Sequence, residues 1–162
     1  MELWDAYNKD FEKVNGTTLI RGEMIPNGLY HLVCDVLVKH TDGTFLLMQR
    51  DPRKHFGGMW EATAGGSALL GESPLECAKR ELAEETGIIS SQLTKVGTVI
   101  SKDTIYVEFL CITDWNKNDI TLQDGETVAY RWVSREVLLH MKKDELVTER
   151  MQKFISELSA GC

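Results

Sequence analysis

Between Ser73 and Gly87 the chain carries the instructions for one helix with both ends marked, and the charges on that helix restrict what can surround it. Ser73 is a good N-cap, Pro74 takes the first helical position, and Glu76 completes a capping box. Gly87 supplies the left-handed stop after Thr86. At about 100° per residue, Leu75, Ala78, Leu82 and Thr86 share one sector, which is predicted to face the core. Glu81, Glu84 and Glu85 fall within about 100° of one another on the adjoining sector.

Three carboxylates on one patch repel, and like charges one turn apart destabilise a helix. Arg80 can pair with Glu84 one turn on and with Glu76 one turn back, but helical geometry puts it away from Glu81 and Glu85. A divalent cation would relieve the remainder. Taken alone, the helix is better accounted for by a solvated acidic face with an arginine ladder, and it is the sequence ahead of it that overturns this reading.

The loop ahead of the helix, Gly65-Gly66-Ser67-Ala68-Leu69-Leu70-Gly71-Glu72, contains glycines and ends in another carboxylate. Read from Gly66, the segment follows G-x5-E-x7-R-E-U-x-E-E-x-G-U, with U a bulky aliphatic residue. Gly66, Glu72, Arg80, Glu81, Leu82, Glu84, Glu85, Gly87 and Ile88 fill every fixed position. The segment resembles the Nudix box without departure, and Leu46 to Arg50 and Trp60 to Gly66 look like the lead-in usual in that family. The resemblance implies an α/β (α+β) fold, a mixed β-sheet sandwiched between helices with a loop-helix-loop catalytic motif. It further implies hydrolysis of a diphosphate linkage, assisted by Mg²⁺ or Mn²⁺. Mg²⁺ suits the residues: it takes oxygen ligands and is commonly held by a few carboxylates together with substrate phosphate and water.

The roles implied by the resemblance fall on named positions. Glu81 and Glu85 would be direct metal ligands, with Glu84 a direct or water-bridged third. Glu81 would be the first candidate to take a proton from the attacking water, and Glu126, on a later loop, the second. Glu126 is equally well read as a solvated turn residue beside Gly125. Arg80 would lock the carboxylate array, Glu72 would orient a ligand or the helix, and Gly87 would end the helix. Gly65 and Gly66 would meet the substrate. Arg50, at the end of a strand, would either bind a substrate phosphate or be an exposed strand terminus.

The rest of the chain reads as a single domain over 1–162, with a hairpin extension over 1–28 and the box over 66–88. Asn15-Gly16 signals the hairpin turn, and Pro26-Asn27-Gly28 marks a second turn. Tyr30, Leu32, Cys34, Val36 and Val38 share one strand face, with Val33 and Leu37 on the other, so this strand is predicted to be buried on both sides. Asp42-Gly43 leads into the return strand Phe45 to Met48. Further strands are predicted near 96–101, 104–113 and 128–133. A short helix capped by Ser134 carries Val137, Leu138 and Met141. A last helix carries Val147, Met151, Phe154, Ile155 and Leu158.

Several classes are disfavoured. A net charge of −7 argues against a general nucleic-acid or anionic-membrane binder. The four cysteines form no CxxC pair, which argues against a zinc ribbon or a thioredoxin-type site, and three of them read as small core residues. The first residues show no basic region followed by an apolar stretch, so a cytoplasmic protein is expected. The partner expected is a small diphosphate substrate, and a monomer and a homodimer are both compatible with the sequence.

Two alternatives stay open. The N-terminal half loosely resembles isopentenyl-diphosphate isomerase, but the stretch Thr63 to Gly66 lacks the cysteine that chemistry needs, Cys34 lies on the wrong strand, and His31 reads as an ordinary strand residue. A catalytically silent ligand sensor is the other. Phe56, Trp60, Tyr106 and Trp115 are each readable as a base-stacking surface or as packing.

Overall fold

The helices after Ser73 and Ser134 and the turn at Asp42-Gly43 form where the sequence marks them. The computed structural model describes residues 1–147 and 149–157. In chain order the elements are β1 (Leu3–Tyr7), β2 (Lys13–Ile20), β3 (His31–His40), β4 (Phe45–Arg50), β5 (Trp60–Glu61) and β6 (Ala64–Ser67). Then come α1 (Pro74–Thr86), β7 (Leu93–Ser101), β8 (Thr104–Thr113), β9 (Thr127–Val133), α2 (Arg135–His140) and α3 (Glu149–Glu157).

β3 runs parallel to β8 from His31 opposite Thr104 to His40 opposite Thr113, and β7 adds antiparallel to β8. A parallel pair requires a long crossover, and the crossover here contains α1. On one face Leu32, Cys34, Val36 and Val38 pack with Ile105, Val107 and Phe109 against Cys77, Ala78 and Leu82 of α1. On the other, Leu37, Phe45, Leu47 and Leu110 pack against Leu138 of α2 and Met151 and Ile155 of α3. The result is the expected mixed sheet between helices, with the period-2 pattern of β3 buried on both sides. Fully burying each such aliphatic side chain is worth about 1.5–3 kcal/mol.

β3 and β4 pair only beside the Asp42-Gly43 turn, at Lys39 opposite Phe45, and then separate. β6 takes the freed edge of β3, from Val33 opposite Ser67 to Val36 opposite Ala64, while β5 and β9 flank β4. Thr63 sits in the fork. Its hydroxyl donates to the Leu46 carbonyl (2.6 Å) and accepts from the Val38 N–H (3.0 Å), joining the diverging strands. Its φ is +69°, a conformation that costs a β-branched residue about 1–3 kcal/mol and is held by that clamp. The fork opens the space into which the glycine loop turns.

The N-terminal hairpin forms, but not with the predicted turn. The chain reverses at Asn8 to Glu12, where the Asn8 side chain accepts from the N–H groups of Asp10 (2.8 Å) and Glu12 (3.1 Å). Asn15-Gly16 lies inside β2, where the register against β1 shifts between Asp5 and Tyr7. Gly16 adopts φ +81°, so the dipeptide makes a bulge instead. Paired backbone bonds between Tyr7 and Tyr30, both 2.9 Å, tie the hairpin to the sheet.

Other differences are smaller. Leu75 is 39% exposed, and Cys77 takes its place on the buried face of α1. β7 starts earlier than predicted, at Leu93, and β9 starts one residue earlier, at Thr127. Val147 precedes α3, and Leu158 and Cys162 lie outside the described residues. Cys34, Cys77 and Cys111 are buried free thiols, and His31 is a strand residue bonded to Thr104 Oγ1 at 2.8 Å.

Candidate active site

The site starts from the first turn of α1. Ser73 Oγ accepts from the Glu76 N–H (3.2 Å), and the Glu76 carboxylate accepts from the Ser73 N–H (2.8 Å). Glu76 is thereby committed to the cap and does not pair with Arg80 as its spacing suggested. Arg80 turns instead to the loop. Its Nε and Nη2 donate to the two oxygens of Glu72 (2.7 and 3.0 Å), and Nη2 also donates to the Ser67 carbonyl (3.1 Å). Nη1 donates to Glu81 (2.8 Å) and Glu84 (3.2 Å). The side chain is long enough to reach Glu81 although the two positions differ by about 100° on the helix, which corrects the expectation that they lie apart. One guanidinium therefore couples loop, helix and two of the three box carboxylates.

Glycine at 65 and 66 follows from the space available. A Cβ at Gly66 would lie 2.3 Å from Glu81 Oε1, and one at Gly65 would lie 2.2 Å from Asp35 Oδ1. The backbone thus passes flush against the carboxylates. Glu85 is only 6% exposed and accepts from the Gly65 N–H at 3.4 Å. Burial drives its pKa well above the ordinary range, and the neighbouring charges of Glu61 and Glu81 add to the rise. Burial likewise raises Glu81, with Arg80 partly offsetting it and a hydrogen bond linking it to Glu85. Burial pushes Glu72 up as well, but Arg80 and the Leu69 N–H outweigh it and hold that carboxyl below its usual value.

Glu81, Glu84, Glu85 and Glu126 all line one cavity of about 290 Å³, together with Gly65, Gly66, Arg80 and Lys54. Glu126 is ion-paired there with Lys54. Among the described residues, no three acidic, His or Cys side chains converge on a single point, because Glu81 and Glu84 turn to Arg80 and Glu85 to Gly65. The donors nonetheless fit a hard divalent cation. They are carboxylate oxygens, and Glu85 is a buried acid pressed by two like charges.

Arg50 stands apart from this group. It pairs with Glu61, donates from Nε to the His55 carbonyl (2.8 Å), and lines a second cavity of about 320 Å³ with Phe56 and Tyr106. Gly65 borders both cavities. Trp60 lies under the Arg131 guanidinium at 4.5 Å, and Trp115 packs against the core, its Nε1 donating to the Asp119 carbonyl (2.7 Å).

Two features escaped the sequence reading. Glu61 belongs electrostatically to the box, since its charge reaches Glu85. Asp35 and Glu108 stand opposite each other on β3 and β8, and both pair with Arg150 of α3, which stacks 3.9 Å above Tyr106. The available signal was an acidic residue inside each of two otherwise apolar strands.

The NUDIX domain family model matches residues 29–158. The chain is 36% identical over 141 residues to an uncharacterized Nudix hydrolase of Listeria monocytogenes, an alignment covering 85% of this chain and 83% of that protein. It is 34% identical over 98 residues to the 8-oxo-dGTP diphosphatase of Proteus vulgaris, covering 59% and 85%. A 64-residue stretch is 39% identical to the isopentenyl-diphosphate Delta-isomerase of Halorhodospira halophila, covering 39% of this chain and 37% of the isomerase. Among solved structures, DR0079 from Deinococcus radiodurans shares the fold with a TM-score of 0.68 at 19% identity, covering 85% and 86%. Among the described residues no helix is long and apolar enough to cross a membrane.

Proposed function

The chain belongs to the Nudix hydrolases, whose members split diphosphate linkages, and from that premise we propose that it hydrolyses a nucleoside diphosphate derivative or similar organic pyrophosphate with Mg²⁺. Mn²⁺ would serve the same oxygen donors. The observation that carries the reading is the shared cavity of Glu81, Glu84, Glu85 and Glu126, with Glu85 buried against Gly65.

Glu81, Glu84 and Glu85 would hold the cation, which when bound polarises the phosphoryl oxygens and neutralises charge that develops there. A water oxygen attacks one phosphorus, the P–O–P bridge breaks on its far side, and the bridging oxygen leaves with the second phosphate. Glu81 is the first candidate to accept the proton of that water, because its carboxylate lies against Gly66 in the cavity. Glu126 is the second, once it is released from Lys54. Arg80, held from behind by Glu72, positions Glu81 and Glu84. Gly65 and Gly66 let the substrate approach the backbone. Positioning of this kind supplies most of the acceleration in phosphoryl transfer. The second cavity, with Tyr106 and Phe56 on its walls, is suited to the organic group, and Arg50 would reach a phosphate by leaving Glu61.

The isomerase alternative gains nothing at the site. Gly65 and Gly66 occupy the stretch where its cysteine would stand, and Cys34 is fully buried against α1. The test is a phosphate-release screen with Mg²⁺ across nucleoside triphosphates, nucleotide sugars, ADP-ribose and isoprenoid diphosphates, with Glu85→Gln as control. Turnover lost in the variant supports the proposal. Binding without turnover, or isomerisation of isopentenyl diphosphate, overturns it.

A further inference from the structure

The family match begins at residue 29, yet two residues ahead of it, Glu2 and Arg21, line the cavity that holds the box carboxylates. The hairpin that bears them is fastened to the glycine loop as well as to the sheet. The Leu70 N–H donates to the Leu3 carbonyl (2.8 Å), and the Gly71 N–H donates to Asp5 Oδ2 (2.7 Å). Glu2 is held at both oxygens: Trp4 Nε1 donates to one (2.7 Å) and Arg21 Nη1 to the other (3.2 Å). Trp4 is itself fixed, buried and stacked on the His31 ring with centroids 4.3 Å apart. The Arg21 backbone N–H also donates to the Glu2 carbonyl (3.0 Å), so the guanidinium projects from a rigid base.

The cations of this cavity differ in their freedom. Arg80 is bound to Glu72, Glu81 and Glu84, and Lys54 is paired with Glu126. Among the described residues Arg21 has one ion pair, and its side chain is 67% exposed, so it can turn to a new anion at little cost. The lining carries five carboxylates, Glu2, Glu81, Glu84, Glu85 and Glu126, against three cations. A polyanion entering it needs positive charge at the mouth. The scissile diphosphate belongs with the buried carboxylates, which leaves the exposed guanidinium for charge extending beyond it, and guanidinium with phosphate is a strong, directional pair.

We infer that Arg21 is a specificity-determining residue that favours substrates bearing a phosphate beyond the scissile diphosphate, nucleoside triphosphates above diphosphates capped on both sides. The inference rests on the hydrolase reading, and its test separates the two. At fixed free Mg²⁺, kcat and KM are measured for ATP and ADP-ribose with the wild type, Arg21→Ala and Arg21→Lys. Binding of inorganic tripolyphosphate and pyrophosphate to the wild type and Arg21→Ala is measured by calorimetry. Arg21→Ala is expected to lose about tenfold in kcat/KM on ATP, carried by KM, a loss at least about fivefold larger than on ADP-ribose. Arg21→Lys should recover most of it, and tripolyphosphate should weaken about tenfold more than pyrophosphate. Equal losses on both substrates, as a purely structural hairpin clasp would give, overturn the inference, as does unchanged tripolyphosphate binding. If the wild type turns over neither substrate nor any other member of the phosphate-release panel, the hydrolase reading fails, while the polyphosphate titration still decides whether Arg21 reads the extra charge.

Discussion

At Gly66 the obstacle to a side chain is the carboxylate end of Glu81, at 2.3 Å, whereas at Gly57 it is the backbone of Pro52, with the carbonyl oxygen at 2.4 Å. The two glycines therefore separate function from stability. Gly66→Ala is expected to stay within about 1 kcal/mol of wild type, because a long side chain can swing aside, yet to lose about tenfold or more in kcat as Glu81 moves. Gly57→Ala has to shift main chain and is expected to cost about 2 kcal/mol. Urea titration and steady-state kinetics on both variants check the contrast. Glu85→Gln removes a buried charge crowded by Glu61 and Glu81. Its thermal midpoint without metal should rise while turnover falls about 100-fold or more. Mg²⁺ at 100 times its Kd should stabilise the wild type by about 2.7 kcal/mol and the variant far less. A lower midpoint for the metal-free variant would show that Glu85 is not under repulsion.

Among the elements, α1 was the most legible, because its start and stop are local chemistry. Ser73, Pro74, Glu76 and Gly87 act within one turn of themselves, and all four take their capping roles in the structure. Ser73→Ala should lower stability by about 1 kcal/mol in chemical denaturation, with the loss confined to the cap. What failed was whatever depended on partners elsewhere. Asn15-Gly16 satisfies a bulge as well as a turn, and only the pairing of β2 with β1 distinguishes them. Leu75 fits the apolar period of α1 but is left exposed, and Cys77 is the residue buried there, its thiol donating to the Gly66 carbonyl (3.5 Å). Helical spacing gives Arg80 to Glu76 and Glu84, yet Glu72 in the preceding loop holds it more firmly.

For the whole molecule, the sheet between helices was readable from alternation and box together, while the Asp35, Glu108 and Arg150 cluster was not, since it requires the register of distant strands. Burial pushes the Glu108 carboxyl up to about 8, the Asp35 charge adds to this, and Arg150 offsets only part. One of its oxygens is buried without a hydrogen-bond partner among the described residues. In the unfolded chain the group titrates near 4.5, so between about 4.5 and 8 the folded chain keeps a proton that the unfolded chain has lost. Its contribution to stability is complete below that window and drains away as pH rises through it. Glu108→Gln should flatten the stability profile across the window, and an unchanged slope would remove Glu108 as its source.

The same long-range pairing governs how the molecule comes into being. His31 meets Thr104 across 73 positions, and the guanidinium that neutralises Asp35 arrives 115 positions after it. Closing loops of that span is slow. A nascent chain leaving the ribosome therefore completes its box long before it has anything to balance the acids beneath it. The edges of β3 are closed by β6 and β8 before the helix bearing Arg150 emerges, but until then the Asp35 carboxylate lacks that guanidinium. A fragment that ends ahead of Arg150 leaves Asp35 and Glu108 facing each other without a counter-charge, and it is expected to be cleaved faster than the full chain in limited proteolysis.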